Sequence, residues 1–259
     1  MGSHSRKQRW MVAMCLTRGA RSARAGVDRP RVENKRADLW SHGCLAVYAR
    51  LEMQVSQTEH STEYLEAAVD LVRAIDPARL DAMAAGLADV RAGGGRLFIL
   101  GVGGGAGHAS HAVNDYRKLC GMESYAPTDN VSELTARTND DGWETSLSAW
   151  LETSRISDRD ALLVFSVGGG SRERNVSVNL VCAMEAARAV GASIYGVVGA
   201  PGGALARLAD LAVVLEPPAA LRTPLVESFQ ALVWHALVSH PRLAVKQGHW
   251  ESLEGGARP

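Results

Sequence analysis

Two stretches of this chain pass from an apolar run straight into a cluster of glycines, and nothing else in it constrains the fold as much. Arg96-Leu97-Phe98-Ile99-Leu100 runs into Gly101-Val102-Gly103-Gly104-Gly105, and Ala161-Leu162-Leu163-Val164-Phe165-Ser166 leads to Gly168-Gly169-Gly170-Ser171. Each reads as a strand that ends in a turn, with the turn opening a helix. A helix N-terminus carries backbone N–H groups with no partner in the helix, so it favours an anion. Two such junctions about 65 residues apart imply a phosphorylated ligand at the carboxyl edge of a parallel sheet. Gly103, Gly104, Gly105, Ser166, Gly168, Gly169 and Ser171 are therefore the candidate phosphate contacts, the two hydroxyls adding to the backbone donors. For Ser171 an ordinary helix N-cap is a second reading, compatible with the first.

The rest of the chain supplies the elements such a sheet needs. Tyr64, Leu65, Ala68, Leu71, Val72 and Ile75 recur at helical spacing, and Asp76-Pro77 separates them from a second helix through Leu80, Met83, Ala84, Leu87 and Val90. Strands then alternate with helices. Strands are expected at 96–100, 123–126, 161–166, 193–198 and 211–215, and helices near 105–119, 143–154, 173–190, 202–208 and 223–239. Near-continuous apolar strands are buried on both faces, which predicts an α/β fold with helices on each side of a parallel sheet. The polar stretch from Thr128 through Trp143 reads as a loop. Its Asn139 and Asp140 are candidate contacts to a polyhydroxylated substrate, or simply turn residues.

Composition matters mainly for the termini. Net charge is zero, yet residues 1–55 hold 11 Lys/Arg against 4 Asp/Glu, so they carry +7 and the remainder −7. Residues 1–58 read as a basic, poorly ordered extension, with a targeting peptide or a nucleic-acid arm as the functional alternatives. Residues 59–245 form the folded domain, and 246–259 a loose tail. No run of about 18 apolar residues exists, so no membrane contact is expected. Cys15, Cys44, Cys120 and Cys182 form no close pair, which fits reduced thiols in the cytoplasm better than a disulfide framework.

Two helices carry groups able to do chemistry. His111 and Asp115 are four residues apart and share one face of the helix after the first glycine turn. Glu227 and His235 are eight apart on the last core helix, among Leu225, Val226, Phe229, Leu232, Val233 and Leu237. Two imidazoles and two carboxylates make a ligand set for a divalent ion. Surface pairing and a solvated stripe are the bland readings of the same residues. A dinucleotide site fits less well. Gly101-x-Gly103-x-x-Ala106 matches its fingerprint loosely, and the acidic residue that motif needs at the end of strand two is replaced by Ala126-Pro127-Thr128-Asp129.

From about Thr62 to Leu243 the chain resembles the sugar isomerase (SIS) domain family, and within it the phosphoheptose isomerases. The leading helix pair, the GVGGG turn followed by His111, the NDDGW segment at 139–143, the FSVGGGS turn at 165–171 and the Glu227–His235 helix carry the likeness. It implies a flavodoxin-like five-stranded parallel sheet preceded by two helices, and a homotetramer with active sites between subunits. It implies zinc held at His111, Asp115, Glu227 and His235. It further implies conversion of sedoheptulose 7-phosphate to D-glycero-D-manno-heptose 7-phosphate through an enediolate, the first step toward activated heptose. Asp115 or Glu227 would be the base and His235 the acid. Three positions depart from the family pattern. Asp115 stands for Glu, Glu227 for Gln, and Gly105 for the serine ending the first turn, so phosphate contacts should lean on backbone N–H groups. A non-catalytic sugar-phosphate sensor and an isomerase of a different phosphosugar are the rival expectations.

Overall fold

The computed structural model describes residues 59–246. The expectations for residues 1–58 and for the tail beyond 246 lie outside them. Five strands, β1 (Leu97–Gly101), β2 (Ser124–Tyr125), β3 (Ala161–Ser166), β4 (Ser193–Gly199) and β5 (Leu211–Leu215), form one sheet in the order β2-β1-β3-β4-β5. Every pairing is parallel. This is the flavodoxin-like order, which reverses direction between β1 and β3.

Alternate residues of each strand face opposite layers. Leu97, Ile99, Leu163, Phe165 and Val197 pack with α1 (His60–Ala74), α2 (Pro77–Ala92), α3 (Gly104–Cys120) and α8 (Arg222–Val238). Phe98, Leu100, Leu162, Val164 and Ile194 pack with α5 (Ser146–Thr153), α6 (Val178–Ala189) and α7 (Gly203–Leu208). α8 buries Leu225, Val226, Phe229, Val233, Trp234 and Leu237 against the first layer, which lays it along α3 and across β3 and β4.

Two sequence expectations are corrected. The polar stretch after β2 is mostly helical: a 3₁₀ turn (Pro127–Asp129) leads to α4 (Val131–Asp140). Apolar periodicity could not reveal α4 because it buries no residue. It rests on local polar devices instead. Asn130 caps the Glu133 N–H, Arg137 pairs with Glu133, and the hydroxyls of Thr135 and Thr138 each reach a carbonyl four residues back. The second correction concerns the helix expected over 173–190, which begins at Val178. Ser171 and Val176 first exchange two backbone hydrogen bonds, folding residues 171–176 back on themselves.

Candidate functional site

At the first junction the geometry is that of a strand running into a helix. Gly103 precedes α3 with φ at 62°, a conformation open to glycine at little cost. Close packing fixes its neighbours. A Cβ on Gly101 would stand 2.3 Å from the Gly105 carbonyl, and one on Gly105 would stand 2.8 Å from the Phe165 oxygen. The position where the family carries serine thus has no room for a side chain here without a shift. A carboxylate already occupies the mouth of this junction. Glu227 reaches from α8 so that a Cβ on Gly104 would lie 2.6 Å from its carboxyl carbon.

From there α3 and α8 run together, and polar side chains mark the seam. One turn along from Gly104, His108 Nδ1 stands 3.0 Å from Oε1 of Gln230, which is fully buried. Further along, His111 packs edge-on to Trp234, with ring centroids 4.6 Å apart. Next come Asp115 and His235. Asp115 Oδ2 lies 3.8 Å from His111 Nε2 and 3.9 Å from His235 Nε2. One ligand atom from each of these three residues lies within 4.8 Å of the others.

Two members of the trio are oriented by a second hydrogen bond. Asn114 donates to Asp115 Oδ1 at 2.9 Å, which leaves Oδ2 turned toward the imidazoles. His235 Nδ1 is 2.8 Å from the Ala231 carbonyl, so Nδ1 carries the hydrogen and Nε2 faces the site. Both imidazoles are about half exposed and the Asp115 side chain is 14% exposed, so the trio opens to solvent while its carboxylate is sheltered.

The four residues expected to converge therefore fall into two groups. His111, Asp115 and His235 are together, and Glu227 stands at the glycine end. Spacing explains this. Eight residues of helix keep two side chains near one face but separate them by about 12 Å along the axis.

The second junction differs from the first. Buried Ser166 accepts the Gly169 N–H at 3.0 Å. Ser171 donates to Glu173 at 2.7 Å and accepts the Arg174 N–H at 3.2 Å. The turn packs backbone to backbone on the start of α7. A Cβ on Gly169 would stand 1.8 Å from the Gly202 oxygen, and the N–H groups of Ala204 and Leu205 donate to the carbonyls of Gly170 and Gly169. These N–H groups are engaged within the protein rather than open to an anion.

Gly168, Gly170 and Ser171 line a cavity of about 480 Å³, with Arg174, Arg207 and Arg222 on its walls. Sequence reasoning missed all three arginines. They come from a loop, α7 and α8, and only the fold joins them. No residue of the first glycine turn lines this cavity. Asn139 and Asp140 are exposed at the end of α4, joined to each other by a 2.8 Å hydrogen bond, and belong to neither the cavity nor the trio.

Open parallel α/β sheets bind ligands outside the carboxyl ends of the strands where the strand order reverses. The glycine turns lie at those ends, and the imidazole–carboxylate trio runs on from the first along α3. No family model matches the sequence. Among curated proteins, a phosphoheptose isomerase of Rhodospirillum rubrum is 32% identical over 166 residues, covering 62% of this chain and 82% of that one. Another, of Burkholderia pseudomallei, is 30% identical, covering 57% and 74%. The lincomycin biosynthesis protein LmbN of Streptomyces lincolnensis is 39% identical over 178 residues, and the match spans 62% of each chain. The chain belongs to the phosphoheptose isomerase family. Two solved phosphoheptose isomerases share its fold at a TM-score of 0.61. That of Francisella tularensis is 20% identical, covering 70% of this chain and 93% of its own. That of Neisseria gonorrhoeae is 22% identical, covering 72% and 97%.

Proposed function

We propose that the protein isomerises sedoheptulose 7-phosphate to D-glycero-D-manno-heptose 7-phosphate. The meeting of His111, Asp115 and His235 on α3 and α8 is the observation that carries this reading. Asp115 Oδ2 takes a proton from C1 of the ketose, and the His235 imidazolium protonates the C2 oxygen through Nε2. The C1 hydroxyl then returns its proton to His235, and Asp115 delivers the other to C2, leaving the aldose. Of the two carboxylates that sequence nominates as base, Asp115 is the one beside the imidazoles. Glu227, at the mouth of the first turn, is placed to accept hydrogen bonds from sugar hydroxyls along the chain.

The donor set of the trio also fits zinc, since two imidazoles and one carboxylate are a catalytic ligand set that leaves a position open. When bound there, the ion supplies positive charge at the substrate carbonyl in place of a proton on His235. Ligand orientation is already fixed by Ala231 and Asn114.

Product analysis tests the reaction. Purified protein incubated with sedoheptulose 7-phosphate, and separately with shorter ketose phosphates, should convert the first to an aldose phosphate visible by NMR. No aldose from any of them would sink the isomerase reading. Aldose from another phosphosugar alone would support a second reading, isomerisation of a different sugar phosphate. The likeness to LmbN and the departures at Gly105, Asp115 and Glu227 favour that alternative.

Assembly follows from α1. This helix packs Leu71 inward and leaves Leu65, Val69 and Val72 on the surface, each about half exposed or more. A contiguous apolar stripe of this kind marks a contact surface. We assign it to a homotetramer in which neighbouring subunits complete the active sites. Paired Leu65→Glu and Val69→Glu substitutions should shift the mass by light scattering from four chains to one or two. An unchanged tetramer would show that the interface lies elsewhere. We assign the protein to the cytoplasm, with no nucleic-acid or membrane partner. Among the described residues no helix is long and apolar enough to cross a membrane.

A further inference from the structure

We propose that Arg174, Arg207 and Arg222 form a guanidinium-lined pocket that takes the phosphomonoester end of the substrate, in place of the two glycine-turn helix N-termini; the inference rests on the sugar-phosphate reading above. Three observations converge on it. Glu227 is the first: its carboxylate fills the mouth of the first junction, beside the N-terminus of α3. A phosphate dianion brought there would meet a fixed negative charge.

The second is the state of the second turn. The Gly169 N–H and both serine hydroxyls have partners within the protein, Ser171 and Val176 bond each other through their backbones, and α7 directs its first N–H groups at the turn's own carbonyls. A dianion reaching this turn would meet the Gly168 and Gly170 N–H groups, which are neutral donors, so its charge has to be met by side chains.

The third is the set of side chains that stands there. Three guanidinium groups and one carboxylate, Glu173, line the cavity, an excess of two positive charges against a dianion. Among the described residues none of the three arginines has an ion-pair partner within 4.0 Å. Their fields already reach into the pocket. The Ser171 hydroxyl first, and the charges of Arg207 and Arg174 after it, hold the Glu173 carboxyl below the usual range. A planar fork of N–H donors suits phosphate oxygens, and a cavity of about 480 Å³ has room for the phosphate and the sugar carbons next to it.

Inorganic phosphate is the probe for the pocket, and sedoheptulose 7-phosphate for its use in turnover. The double variant Arg174→Gln/Arg207→Gln and the single Arg222→Gln should each weaken phosphate binding by calorimetry. They should raise KM about tenfold or more per arginine lost, the scale of a charge-assisted bond, with kcat within about threefold of wild type. Arg207→Lys, which keeps the charge and has less effect on packing, should recover most of the affinity. Asp115→Asn should do the opposite, losing kcat and keeping phosphate affinity. Unchanged phosphate affinity and KM in the arginine variants, with wild type turning over, would overturn the pocket and leave the reaction standing. Arginine-dependent phosphate binding in a wild type that isomerises no sugar would support the pocket and remove the reaction.

Discussion

Asp115→Asn should lower kcat about 10²- to 10⁴-fold, the range for loss of a positioned general base, while the melting temperature moves by no more than a few degrees. Both halves of the expectation come from the geometry. The Asp115 side chain is 14% exposed and faces two imidazole nitrogens at 3.8 and 3.9 Å, so neutralising it removes the one carboxylate beside them. Its stabilising contacts are few: a hydrogen bond from the adjacent Asn114 and the ion pairs available to half-exposed histidines. Such pairs contribute little to folding. His235→Ala should cause a loss of similar size with an additional readout, since the trio falls to two donors. Zinc retained after reconstitution and dialysis should drop from about one ion per chain to near none. Glu227→Gln is the control, and its effect should fall mainly on KM. If Asp115→Asn keeps wild-type kcat while Glu227→Gln abolishes it, the base is Glu227 and the trio has another purpose.

The sequence disclosed the sheet well because a buried parallel strand is an uninterrupted apolar run. β3 through β5 start and end within a residue of where the runs predicted. It hid α4 because that helix is held by Asn130, Glu133, Arg137 and threonine hydroxyls rather than by an apolar face. In the site, the i, i+4 relation of His111 and Asp115 was a local fact and carried over directly. Glu227 and His235 show where such reasoning stops, because helical periodicity fixes the face a residue shares and leaves its height along the axis to be counted separately. Arg174, Arg207 and Arg222 gave no local signal at all. They are up to 48 positions apart and meet only because the β3 and β4 turns pack backbone to backbone at Gly169 and Gly202.

The same kind of long-range meeting produces the largest expected effect on stability, at the amino ends of two central strands. Asp160 directly precedes β3, Arg96 directly precedes β1, and the Asp160 carboxylate is 2% exposed. It accepts hydrogen bonds from the Arg96 backbone N–H, Nε and Nη2 and from the Ser157 N–H and hydroxyl, all between 2.8 and 3.1 Å. Arg96 goes on to the carbonyls of Ser154 and Arg155 and lies 5.0 Å over the Phe98 ring. Burial alone would push the Asp160 carboxyl up. The bonds from Arg96 and Ser157 outweigh it and hold the carboxyl below the usual range. Asp160→Asn leaves the Arg96 charge without its partner in a sheltered place, an error that costs about 3–5 kcal/mol. At roughly 2–4 °C per kcal/mol for a domain of this size, the melting temperature at pH 7 should fall by about 6–20 °C.

The sign of the pH dependence is fixed by the direction of the shift. A carboxyl whose folded pKa is depressed contributes stability above its unfolded value, about 3.9, and loses it as pH falls through the lower folded value. The gap between wild type and Asp160→Asn in urea unfolding should therefore be full at pH 7 and narrow below about pH 4. Isomerase activity at 25 °C should change little where the variant remains folded, because the clamp joins the amino ends of β1 and β3 to the end of α5, on one face of the sheet, and the trio lies between α3 and α8 on the other. A gap that stayed constant down to pH 2 would mean that the Asn variant fails through shape or packing, and that the carboxylate charge is not what ties these two strands together.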